Sequence, residues 1–144
     1  MTTGQKGSQP SLEACVWEVR NRPRLRQLPR GWQGSMVLLE HCQRLERIPK
    51  PTGIPLLVTL QNLPRLTCLG AGSEYVHLQL EDGGLRHLPH GLKVQRDLMV
   101  RNCPHLRALG RETDVGGDLV LEGVPALQAL PEALVVHGAV RWVR

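Results

Sequence analysis

The run Leu98-Met99-Val100-Arg101-Asn102-Cys103-Pro104-His105-Leu106-Arg107-Ala108-Leu109 decides how the rest of the chain is read. In an extended triplet, Leu98 and Val100 point one way and Met99 the other, which is the strand period. After two spacers come Cys103, a proline, and Leu106-x-x-Leu109. The same order recurs every 20 or 21 residues. Earlier copies are Trp17-Glu18-Val19 with Pro23-Arg24-Leu25 and Leu28-Pro29, then Val37-Leu38-Leu39 with Leu45 and Ile48-Pro49. Next come Val58-Thr59-Leu60 with Leu63-Pro64-Arg65-Leu66, and Leu78-Gln79-Leu80 with Leu85 and Leu88-Pro89, a copy one residue short in its middle. Leu119-Val120-Leu121 with Val124-Pro125-Ala126-Leu127 is the sixth, and Val140-Arg141-Trp142 opens a partial seventh. A fixed period of this length is the signature of a solenoid, in which each unit buries its apolar side only against its neighbours.

One unit is too short to be stable alone. Stacked copies about 4.8 Å apart form a parallel sheet with one strand per repeat. The expected fold is therefore a mainly β, right-handed coil with little or no helix, its six full turns and partial seventh spanning residues 15–144 after a polar tail or cap at 1–14. Asn21, His41, Asn62 and Asn102 share the position two residues after the triplet, where short polar side chains satisfy turn backbone. Cys42, Leu63, Cys103 and Val124 share the next, inward slot. The return segments carry apolar pairs, Leu92-Lys93-Val94 and Leu134-Val135-Val136, with Ile54 and Val115 in similar places. They read as a second short strand or an irregular extended back.

Leu98-x-Val100-x-x-Cys103-x-x-Leu106-x-x-Leu109 resembles the core of leucine-rich repeat proteins, and the Leu-x-x-Leu-Pro endings are similar to the short bacterial repeat type. The resemblance covers roughly residues 15–144 and implies a protein-binding module. It departs from the family in lacking Asn at the Asn/Cys slot, outer helices, and the catalytic domain that bacterial effectors of this type carry after their repeats.

The 144 residues make one domain, with no Phe, one Tyr and three Trp, so the core is built of Leu and Val. A net charge of +5 favours an acidic partner: a nucleic acid, an anionic lipid surface or an acidic protein. No apolar run is long enough to span a bilayer. Met1 to Ser11 lacks the apolar stretch of a secretory leader, so the expected compartment is cytoplasmic. Free thiols at Cys15, Cys42, Cys68 and Cys103 agree with that expectation.

No cofactor motif is present, and no enzyme is expected. The pairs His41-Cys42 and Cys103-His105 lie three repeats apart, about 14 Å at strand spacing, so they cannot share a metal. His77, His87 and His90 lack a matched nucleophile. Three surfaces remain as binding candidates. The first is the outward column Leu38, Thr59, Gln79, Met99 and Val120, suited to a protein partner. The second is a basic edge of Arg24, Arg44, Arg65, Arg86 and Arg107, suited to an acidic protein, to nucleic acid or to another anionic surface. The third is the last strand, where Val140 and Trp142 point to homodimerisation or docking through an uncapped edge. A structural role as an assembly subunit is a further reading.

Overall fold

The computed structural model describes residues 16–143; the expected tail at 1–14 lies outside them. Seven strands form the main sheet: β1 (Val16–Arg20), β2 (Met36–Glu40), β4 (Leu57–Leu63), β7 (His77–Gly83), β9 (Leu98–Arg101), β11 (Leu119–Glu122) and β13 (Val140–Val143). They lie in the order β13-β11-β9-β7-β4-β2-β1, and every neighbouring pair is parallel. The described residues contain no helix.

Successive coils are in phase. Leu60 pairs with Leu80 and Leu80 with Val100, so the third triplet residues line one inner wall. Leu78, Leu98 and Leu119 line the other, all fully buried. Leu39, Cys42, Leu45 and Ile48 in one coil, and Val100, Cys103 and Leu106 in another, complete a continuous core of Leu, Val and thiols. Burial pushes the Cys42 and Cys103 thiols up, so both stay protonated packing groups.

Two further faces close each coil. The short strands β3 (Arg47–Ile48) and β5 (Cys68–Leu69) pair on one, with bridges Gln27–Arg47 and His87–Ala108 extending it. On the other, β6 (Glu74–Tyr75), β8 (Lys93–Val94), β10 (Asp114–Val115) and β12 (Val135–Val136) form a four-stranded parallel sheet. The back side is thus a true second sheet, and Leu92, Val94 and Val115 are buried there as their spacing predicts. Ile54 differs. It is 47% exposed, because the buried ring of Pro55 takes the inward place at that corner and turns Ile54 outward.

The corners explain the sequence between strands. Asn21, His41, Asn62, Asp82 and Asn102 all hold φ between 52° and 55°, and Gly123 takes the sixth place at 65°. A left-handed residue reverses the chain as it leaves the sheet, which selects Asn, Asp, His or Gly. A β-turn follows: the N–H of Leu25, Leu45, Leu66, Leu106 and Leu127 each donates to the carbonyl three residues back. Proline stands second in four of these turns, where its fixed φ fits.

Candidate functional site

Register puts Glu18, Leu38, Thr59, Gln79, Met99, Val120 and Arg141 in one outward column across the whole main sheet. Leu38, Thr59, Met99 and Val120 are half-buried by their neighbours, while Gln79 is exposed. One flank is a polar ladder. Arg20 pairs with Glu40 at 3.8 Å, Gln61 Nε2 donates to Glu81 Oε1 at 3.1 Å, and Glu122 holds Arg101 and Arg141, each at 3.2 Å. Such exposed pairs contribute little to stability.

The other flank is apolar at its start. Met36 pairs with Leu57 in register, and Met36 is 44% exposed, Leu56 55%. Together with Ile54 and Leu38 these side chains make a patch at the entry of β2 and β4. The sequence reading put Ile54 in the return segment and did not single out Leu56. The run Ile54-Pro55-Leu56-Leu57 was the available signal, since an apolar run across a corner cannot bury every member.

The basic residues fall on two neighbouring lines. Arg24, Arg44, Arg65 and His105 occupy the third place of the corner turns. Arg26, Arg86 and Arg107 lie between the two inward leucines that follow, and Glu46 and Thr67 interrupt that second line, as their backbone bonds to Arg26 and Glu46 show. None of Arg24, Arg44, Arg65, Arg86 and Arg107 forms an ion pair among the described residues. Two recesses open here. One of about 660 Å³ is lined by Arg26, Arg44, Arg65 and Glu46. The other, of about 410 Å³, is lined by Arg65, Thr67, Gly84, Arg86, His105 and Glu46.

The histidines do not converge. His77 stands on the main sheet, paired with Leu57; His87 bridges Ala108 on a different face; His90 Nδ1 accepts from the Arg111 N–H at 2.9 Å. Among the described residues no three His, Cys, Asp or Glu side chains come together as a metal group, and no helix is long and apolar enough to cross a membrane. At the end of the sheet, β13 pairs with β11; Val140 is 47% exposed there, while Trp142 packs against the core.

The chain matches no protein-family model, no curated protein and no solved structure. The likeness to leucine-rich repeats stands on the residue pattern alone.

Proposed function

We propose that the chain is a non-catalytic protein-binding module that receives its partner across the main sheet. The observation that carries this reading is the outward column itself. Seven strands in register present Leu38 beside Met36 at one end of the column and Met99 with Val120 nearer the other, with Thr59 and Gln79 between them and a polar ladder along one flank. Apolar side chains interleaved with polar ones and flanked by charged residues are the usual composition of a protein contact.

Nucleic acid is supported less well. Glu46 and Thr67 break the basic line, and the aromatic rings that could stack on bases serve the core instead: Tyr75 and Trp32 are buried, and Trp17 packs on Trp32 with centroids 6.1 Å apart.

Affinity capture from the native host tests the reading, comparing the parent chain with a Leu38→Lys, Met99→Lys, Val120→Lys variant. A protein retained by the parent, lost by the variant and insensitive to nuclease is expected. Identical retention by both chains sinks the face as the binding surface. Salt separates the alternatives, since phosphate contacts weaken steeply as salt rises and an apolar contact does not.

Self-association through β13, the last described strand, is a second reading; of the two residues expected to pair there, Val140 is exposed and Trp142 packs against the core. Light scattering at micromolar concentration tests it, and a monomer removes it.

A further inference from the structure

Repeat four lacks one residue, and an open recess lies over its shortened corner. Five residues separate Leu60 from Leu66 and Val100 from Leu106, but only four separate Leu80 from Leu85. The neighbouring coils make proline turns at Pro64-Arg65 and Pro104-His105. Between them, coil four has Gly83-Gly84 and no turn. It cuts the corner instead, with the Gly84 N–H against the Leu63 carbonyl. A Cβ at Gly84 would collide with the Pro64 carbonyl, so glycine is required for this path. The two flanking corners are two coil steps apart, about 10 Å, and the space left between them is the 410 Å³ recess.

Arg65, Arg86 and His105 line this recess from three successive coils. Neither guanidinium is in an ion pair among the described residues. Two unpaired arginines converging on one space match the oxygens of a phosphate, which each fork can hold through two hydrogen bonds. Glu46 sits on the rim shared with the larger recess. Its carboxylate opposes a string of phosphates running along the edge, and the unpaired Arg65 and Arg86 outnumber it around this recess.

We propose that the recess over repeat four binds the phosphate monoester of a phosphorylated side chain on a protein partner. This rests on the protein-binding reading above. The recess adjoins the ends of β4 and β7, so a peptide crossing the sheet can reach it.

O-phospho-L-serine, inorganic phosphate and an oligothymidylate are the probes, titrated into the whole chain and followed by amide NMR. Phosphoserine is expected to shift the amides of Thr67, Gly84, Arg86 and His105. Arg65→Gln with Arg86→Gln should weaken it about tenfold or more, and Glu46→Gln should strengthen it. Inserting a proline between Gly83 and Gly84 restores the ordinary corner. It should abolish binding with every charge still present, and the arginine variant covers the case in which the insertion fails to fold. Absence of shifts at millimolar phosphoserine, or binding that survives the arginine variant or a folded insertion, overturns the proposal. So does oligothymidylate binding with a salt slope of several phosphates, or inorganic phosphate binding as tightly to the insertion variant as to the parent. The Leu38, Met99 and Val120 variant should leave phosphoserine binding unchanged, so partner capture that is identical in parent and variant, with phosphoserine binding intact, overturns the reading of the sheet face and not the recess.

Discussion

At the scale of the residue, the corner after each main strand is the most constrained point in the repeat. Asn102 holds φ 52°, a conformation that costs an ordinary L-residue about 1–2 kcal/mol. Asn102→Val is expected to lose at least about that much, because a β-branched side chain fits the left-handed region worst. Asn102→Gly should stay close to the parent, and urea midpoints of the two variants check the contrast. Polar groups inside the coil are satisfied locally. Thr113 Oγ1 donates to the Gly110 carbonyl at 2.7 Å, and Ser73 Oγ likewise to Gly70. Burial holds the Tyr75 phenol at about 12, against its ordinary 10, with a Ser73 hydrogen bond working in the opposite sense. The folded chain therefore keeps a proton that the unfolded chain releases. Stability is unaffected by Tyr75 below about pH 10 and falls as pH rises towards 12, by about 2–3 kcal/mol in total. Cys42 and Cys103, also raised, add to this loss. Tyr75→Phe should lose less stability than the parent between about pH 10 and pH 12; equal losses in denaturant melts would remove the phenol as a cause.

At the scale of the element, strand and corner have separate tasks. The triplets supply apolar pairs at strand spacing, while the left-handed residue and the proline turn direct the chain to the next face. Leu78 lies between Val58 and Leu98 in register and is fully buried. Leu78→Asp places an unpaired charge at the centre of the stack and is expected to cost more than about 4 kcal/mol. Gln79→Asp, one residue along but outward, should stay within about 0.5 kcal/mol. Thermal melts of the two variants decide whether the alternation is assigned correctly, since a register slip of one residue would exchange their effects. Repeat four shows the opposite freedom: removal of one corner residue leaves the flanking strands paired, because Gly84 passes close to the coil below.

At the scale of the molecule, stability comes from nearest-neighbour stacking, so it is highest in the middle. Leu78, Leu98 and Leu119 are sealed on both sides, whereas Val16 and Val140 are exposed at the two ends of the described sheet. Amide hydrogen exchange should be slowest in β7 and β9 and fastest in β1 and β13. Uniform protection across the seven strands would mean that the coil opens as one unit.

The sequence by itself determined the coil. Residues twenty or twenty-one apart repeat the same apolar order, and only stacking in phase buries that order everywhere, so the inner walls, the corner asparagines and the parallel sheet were all legible. The second sheet was half legible: Leu92-x-Val94 showed a strand spacing, but two residues per coil are too few to fix pairing without neighbours. Only the tertiary structure decided the surface. Whether Ile54 faces in or out depended on the ring of Pro55, and whether the arginines form one line or two depended on how each corner turns. The short fourth repeat was visible as a missing residue. That the gap becomes a recess walled by Arg65, Arg86 and His105 followed only once three coils stood side by side, because a cavity belongs to the space between segments and not to any one of them.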